Sequence, residues 1–212
     1  TPAKQVGKVL IRVNATVNDN AFNAGVDANG QPIVKNAVTV TVVDASGTTT
    51  IDAKPSEAAA IPLVGFQFLK ADAEGNAIVS DTATFKLAAS YEDATAGTYL
   101  KNATSTSDLQ ATTNLADGKA VFSGLSFGNL TSGGQAYTAI EDAVTAARGN
   151  LGVVQNVELW MCETKAPNGY RILQAPQKVT LQIVKATADA KVTTSVAGGP
   201  LSLVNMRDGQ EG

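Results

Sequence analysis

Residues 153–173 read VVQNVELWMCETKAPNGYRIL. Apolar and polar residues alternate through the first half of this stretch, which predicts a β-strand with Val157, Leu159 and Met161 on one face. Glu163 falls on the same face and continues the apolar stripe. A carboxyl group placed there would lose its water, which favours its neutral form. A buried Glu163 carboxyl group would either pair with another polar group or relay protons. Alternatively, the side chain reaches solvent from the end of the strand, and the alternation does not decide between these possibilities.

The same alternation recurs along the chain. Short segments rich in Val, Thr, Ile and Phe are separated by turns of Asp, Asn and Gly, a pattern typical of antiparallel β-proteins. These segments cover residues 9–13, 38–43, 65–68, 83–87, 119–122, 157–162, 179–184 and 201–205. Strands this short and this frequent predict an all-β fold, specifically a β-sandwich.

Three segments depart from the strand pattern. Thr138 precedes Glu141 by three residues, the spacing of a capping box, and apolar residues follow at helical intervals. We therefore predict a short helix over residues 139–148. Residues 48–60 and 90–115 are rich in Thr, Ser, Ala and Asn without periodicity, and we predict long surface loops there.

Composition excludes several classes of function. The 212 residues carry 16 basic and 19 acidic side chains, a net charge of −3, which offers no basic field for nucleic acid. The chain has no His and a single Cys, Cys162, so Ser–His and Cys–His catalysis, His-based metal sites and an intrachain disulfide are excluded. No apolar run approaches the roughly 20 residues of a membrane span. We predict that the chain is not an enzyme and has no cofactor, metal or nucleic-acid partner.

Three motifs resemble those of one protein family and occur along the chain in the family's order. ETKAPNGY at residues 163–170 closely resembles the E-box (Glu-Thr-x-Ala-Pro-x-Gly-Tyr) of CnaB-type immunoglobulin-like domains, found in Gram-positive sortase-assembled pilins and cell-wall-anchored surface proteins. VGFQFLKADAEGN at 64–76 is similar to the family's second strand and turn, and ADGKAVFSGL at 116–125 to its hairpin. LVNMRDG at 203–209 resembles the last strand before a cell-wall sorting signal.

The resemblance spans about residues 36–209 and implies a domain organisation. We expect a CnaB-like β-sandwich domain at residues 36–212, with long loop insertions and one short helix. Residues 1–35 are then an N-terminal extension or supply extra strands.

The resemblance also implies an intramolecular isopeptide bond. In the family, a Lys on the first strand joins an Asn or Asp on the last strand, promoted by the E-box Glu. This gives Glu163 the role of the acid and Asn205 that of the reacting amide. Without the bond, these two groups are expected to meet in the core through hydrogen bonds, because an unpaired buried polar group costs about 1–3 kcal/mol.

The lysine partner is harder to assign from the sequence. Family first strands read like Gly-x-Val-Thr-Val-Thr-Lys-Val-Asp, and the best match lies at residues 36–44. This alignment puts Val42, which cannot react, in the place of the nucleophile. Lys35 and Lys8 are the remaining candidates, and a β-bulge would turn either one inward.

The function implied by the resemblance is structural. We expect a secreted subunit of a Gram-positive surface pilus, a minor or basal pilin joined by sortase to other pilin subunits or to the cell wall. The sortase acceptor would be Lys165 in the E-box turn or Lys101 in the polar loop. The alternative is an adhesin module that binds a host matrix protein or glycan through its long loops.

Overall fold

A computed structural model describes residues 26, 32–35, 40–44, 47–51, 60–102, 107–127 and 130–209. Its strands are β1 (Ile33–Lys35), β2 (Val40–Asp44), β3 (Gly47–Ile51), β4 (Ala60–Pro62), β5 (Phe66–Ala71), β6 (Thr84–Ala88), β7 (Lys101–Asn102), β8 (Gln110–Thr112), β9 (Lys119–Phe122), β10 (Leu130–Ser132), β11 (Gln135–Ala136), β12 (Gln155–Lys165), β13 (Gln177–Val184), β14 (Thr193–Val196) and β15 (Leu201–Val204). The helices are α1 (Tyr91–Ala96) and α2 (Ala139–Gly149).

Two sheets form the body of the fold. One has the strand order β14-β13-β12-β6-β8, and the other has the order β15-β5-β9. Buried and less buried residues alternate along β5, β12 and β13, because successive side chains of a strand point to opposite faces. The inward faces share one apolar core that includes Phe68, Phe85, Leu159 and Leu181. The prediction of an all-β sandwich is confirmed, and its one departure from antiparallel pairing among the described strands is the parallel pair of β15 and β5.

Aromatic rings fill the centre of this core. Phe68 on β5 packs edge-on against Phe85 on β6, with ring centroids 4.9 Å apart. It also stacks on Phe122 of β9, at a centroid distance of 6.0 Å. Phe68 therefore joins the two sheets, and offset or edge-to-face pairs of this kind add to the stabilisation that burial alone provides.

Gly65, directly before β5, lies against the backbone of Phe122 and Ser123. A Cβ atom on Gly65 would overlap the Phe122 carbonyl oxygen, and Thr194 Oγ1 donates to the Gly65 carbonyl at 2.6 Å. We expect Gly65→Ala to lower the free energy of unfolding by about 1–3 kcal/mol, since backbone would have to move. Gly149→Ala is the matched control in denaturant unfolding, because nothing lies within 4 Å of a Cβ there. Equal stability of the two variants would contradict the prediction.

The predicted helix at residues 139–148 is confirmed as α2, Ala139–Gly149. Its buried residues Ile140, Val144 and Ala147 face the core, as the helical spacing indicates. The start of the helix differs from the capping box. Thr138 makes no side-chain hydrogen bond to the helix backbone and instead donates to Asp142 Oδ2 at 2.8 Å.

The prediction of a long surface loop at residues 90–115 is wrong, because α1, β7 and β8 lie within this segment. Ser90 Oγ accepts the Asp93 N–H at 3.0 Å and begins α1, and Gly97 at φ 71° ends it. Leu100 and Leu109 are buried and anchor the segment to the core. Burial of a few apolar side chains thus orders a segment whose sequence has no clear period.

The described residues before β5 form local pairs. β1 pairs with β4, β2 pairs with β3, and Leu63 N–H donates to the Pro32 carbonyl at 2.7 Å. The predicted strand at 38–43 overlaps β2, whereas part of the predicted loop at 48–60 belongs to β3 and β4. The domain boundary after residue 35 stays a prediction, and the predicted strand at 9–13 lies outside the described residues. None of the described helices has the length and apolarity needed to cross a membrane.

Candidate functional site

Glu163 lies on the buried face of β12, as the alternation predicts. Val157, Leu159 and Met161 precede it on that face. A register shift follows directly, because Glu163 pairs with Phe85 while Lys165 pairs with the adjacent Thr84. The residue between them is the extra one of a β-bulge, and the chain turns outward after the acid. The bulge therefore ends the buried face at Glu163.

Two more polar groups meet this acid in the core. Lys70 is the fifth residue of β5, in phase with the buried residues Phe66 and Phe68. Asn205 directly follows β15, which runs parallel to β5 with Leu203 opposite Lys70. The side chain of Lys70 and that of Glu163 have no exposed surface, and the residue Asn205 is 1% exposed. Parallel pairing of β5 with β15 brings together residues 135 positions apart.

The three groups form a continuous hydrogen-bonded cluster. Lys70 Nζ donates to Asn205 Oδ1 and, at 3.0 Å, to the Leu203 carbonyl. Asn205 Nδ2 donates to both carboxylate oxygens of Glu163, at 3.0 Å and 2.9 Å. Lys70 Nζ lies 3.9 Å from Glu163 Oε1. The amide thus sits between the amine and the carboxylate, with its carbonyl toward the amine and its nitrogen toward the acid.

Burial changes the protonation of the lysine. Loss of water lowers the pKa of Lys70 from 10.5 to about 8, while the Glu163 carboxylate opposes that shift. At neutral pH a fraction of Lys70 is therefore the free amine, which is the nucleophilic form. Neighbouring Asn205 has an amide carbon that such an amine can attack, and Glu163 is placed to move protons between the two nitrogens.

The structure corrects the assignment of the lysine. Lys70 occupies the position beside Asn205, whereas Lys35 ends β1 and pairs with β4. Val42 lies in β2, which pairs with β3 instead of the last strand. Lys8 lies outside the described residues. Among the described strands of the two sheets, β5 comes first along the chain and pairs with the last strand, β15, whereas the sequence motif at residues 64–76 resembles the family's second strand.

A signal for Lys70 is present in the sequence. GFQFLKAD at residues 65–72 has a Gly at its start and a Lys two residues before an Asp, as family first strands do. The alternation of Phe66, Phe68 and Lys70 also places the lysine on an apolar face. The alternation therefore places Lys70 on a buried face, as it does Glu163, but it does not show that the two faces meet.

The two lysines predicted as sortase acceptors lie on the surface in ion pairs. Lys165 Nζ lies 3.6 Å from Asp81 Oδ1 and 3.2 Å from Thr82 Oγ1. Lys101 Nζ lies 3.5 Å from Asp108 Oδ1. Each side chain is about half exposed, and surface ion pairs are weak, so either amine can be released to react.

The chain matches no protein-family model and no curated protein sequence. Among solved structures it is similar to the major pilin SpaA of Corynebacterium diphtheriae, at 20% identity and a TM-score of 0.39, over 70% of this chain and 31% of that one. The SpaA structure points to a modular pilus assembly stabilizing isopeptide bonds.

Two structures of the RrgB pilin of Streptococcus pneumoniae are also similar. The full-length major pilin is 11% identical with a TM-score of 0.40, over 85% of this chain and 37% of that one. The pilus backbone structure is 12% identical with a TM-score of 0.40, over 85% of this chain and 50% of that one. The chain spans half or less of the length of the chain in each of these three structures.

Proposed function

We propose that this chain is a structural subunit of a Gram-positive surface pilus, locked internally by an isopeptide bond between Lys70 and Asn205. The buried contact of Lys70, Asn205 and Glu163 carries the proposal, because it places an amine, an amide and a proton carrier in one dry site. The resemblance of residues 163–170 to the E-box supports the same reading. A covalent tie between the first and last strands of the sandwich suits a protein that must resist extension.

The bond forms by exchange of one amide for another. The free amine of Lys70 attacks Asn205 Cγ, so the Nζ–Cγ bond forms and the Cγ–Nδ2 bond breaks. Glu163 takes a proton from the lysine nitrogen and delivers it to Nδ2, to which it is already hydrogen-bonded. Nδ2 leaves as ammonia. No oxidant, nucleotide or metal enters the balance. The product is a neutral amide in place of an ionisable amine, whose charged form is costly to keep in the core.

The test is the mass of the folded, purified protein. We expect it to be lighter than the sequence by one ammonia, with a branched peptide that joins Lys70 to Asn205 after digestion. Lys70→Arg should restore the full mass, and Lys119→Arg, which changes an exposed lysine on β9, should not. A wild-type chain of full mass would overturn the proposed bond.

The rate of linking should depend on pH through Lys70. Because only the free amine reacts, we expect the rate to rise about tenfold per pH unit below pH 8 and to level off above it. The protein can be purified unfolded from inclusion bodies and refolded by dilution at several pH values. The loss of ammonia with time, followed by mass, then gives the rate at each pH. A rate that falls as the pH rises from 6 to 8 would contradict this protonation scheme.

We further propose that the subunit is a minor or basal pilin, joined to its neighbours by sortase through Lys165 or Lys101. The exposure of these two amines supports the proposal. The experiment is digestion of covalent pilus polymers from the producing bacterium, followed by mapping of the branched peptides between subunits. Branches at Lys165 or Lys101 are expected, and polymers that lack this chain would contradict the pilus role without affecting the internal bond.

A further inference from the structure

The turn at residues 166–173 makes direct contact with the acid. Leu173, at its end, donates its backbone N–H to Glu163 Oε2 at 2.8 Å. Within the turn, Tyr170 N–H donates to the Pro167 carbonyl at 3.1 Å, and Gly169 adopts a φ of 80°, which glycine allows without strain. The position of the carboxylate therefore depends on how the turn is held.

The same turn holds the chain that follows Asn205. Arg171 N–H donates to the Met206 carbonyl at 2.9 Å, and Asp208 N–H donates to the Gly169 carbonyl at 3.0 Å. These two hydrogen bonds tie the turn to residues 206–208, which directly follow the reacting amide of Asn205. One structural unit fixes both the acid and the amide of the candidate site.

Asp81 fastens the turn from the outside. Its Oδ2 accepts the Asn168 N–H at 3.1 Å, and its Oδ1 accepts the Thr82 N–H at 2.7 Å. Lys165 directly precedes the turn, and its Nζ lies 3.6 Å from Asp81 Oδ1. The backbone hydrogen bonds from Thr82 and Asn168 lower the pKa of Asp81, with a further contribution from Lys165, so the carboxylate stays charged at neutral pH.

We propose that Asp81 is a positioning residue for the ligation of Lys70 to Asn205. By fastening the 166–173 turn, it holds the Glu163 carboxylate and the Asn205 amide in their reacting arrangement. Among the described residues, its carboxylate contacts Thr82, Lys165 and Asn168, so it acts through the turn and not on the reacting atoms. The inference rests on the proposed ligation.

The first measurement is the rate of ammonia loss after refolding of Asp81→Ala. We expect the rate to fall by about 10-fold to 100-fold at the high-pH plateau, since small displacements of reacting groups have effects of this size. Asp81→Asn, which keeps the shape and one acceptor, should slow the reaction less. Asp117→Ala is the matched control, because exposed Asp117 also accepts a backbone N–H, from Lys119, and among the described residues it makes no hydrogen bond to the turn.

The pH profile separates positioning from general loosening of the fold. If Asp81 acts through geometry, the plateau falls while the midpoint set by Lys70 stays at about pH 8. A loosened core would let water reach Lys70 and would move the midpoint upward, toward the ordinary lysine value. A lower plateau with an unchanged midpoint supports the proposal, and a shifted midpoint overturns it.

The wild-type arm separates this inference from the function on which it rests. Wild-type protein that loses no ammonia contradicts the ligation itself, and with it any role of Asp81 in that reaction. Wild-type protein that links, together with Asp81→Ala and Asp81→Asn that link at the same rate, overturns the role of Asp81 alone. Slowing in both Asp81 variants and none in Asp117→Ala is the expected result.

Discussion

Glu163→Gln should leave the chain unlinked on the timescale in which the wild type links completely. Glutamine keeps the shape of the side chain and an oxygen that can accept from Asn205 or Leu173. It cannot take a proton from Lys70 and return it to Asn205 Nδ2. Removal of a positioned proton carrier slows such reactions by about 100-fold to 10000-fold. Intact mass measured over time after refolding gives the rate directly.

Glu74→Gln is the matched control for this substitution. Glu74 is exposed in the turn after β5, near Lys70 in sequence but outside the buried cluster. We expect it to link at the wild-type rate. Linking of Glu163→Gln at that rate would show that the lysine and the amide need no proton carrier, and the assigned role of the acid would then be wrong.

Local patterns identify most of the candidate site. Period-two alternation places Glu163 on the buried face of β12, and alternation of Leu201 and Leu203 places Asn205 inward. Both positions agree with the structure. These inferences succeed because the face of a strand is a local property of the sequence. The acid and the amide can therefore be found without knowledge of the topology.

The lysine depends on topology, which the local pattern does not contain. The sequence predicts strands at both 38–43 and 65–68, and only the pairing of β5 with β15 shows which of them lies beside the last strand. That pairing joins positions 135 residues apart. The segment 90–115 escapes prediction for a different reason. α1 has six residues and β7 has two, too few for any period to be recognised.

Lys70→Met should lower the melting temperature of the domain by about 10–20 °C relative to the linked wild type. The link between Lys70 and Asn205 closes a loop across 135 positions, and the chain-entropy relation for a cross-link of that span gives about 5 kcal/mol. For a domain of this size, each kcal/mol corresponds to about 2–4 °C. Methionine fills the volume of the lysine stem without a charge, so the change mainly reports the link. Calorimetry on the two purified proteins measures it.

Two further variants show whether the loss comes from the cross-link. Lys119→Met removes an exposed lysine from β9 and should melt with the wild type. Asn205→Ala also prevents the link but leaves Lys70 buried without its amide partner. Its free energy of unfolding should therefore be lower than that of Lys70→Met by about 1–3 kcal/mol. The wild type should therefore have the highest melting temperature and Asn205→Ala the lowest. The link stabilises the fold because it restricts the unfolded chain, and the buried polar cluster stabilises the fold only when it is complete. Equal melting of Lys70→Met and the wild type would mean that the buried cluster holds the sandwich without a covalent bond.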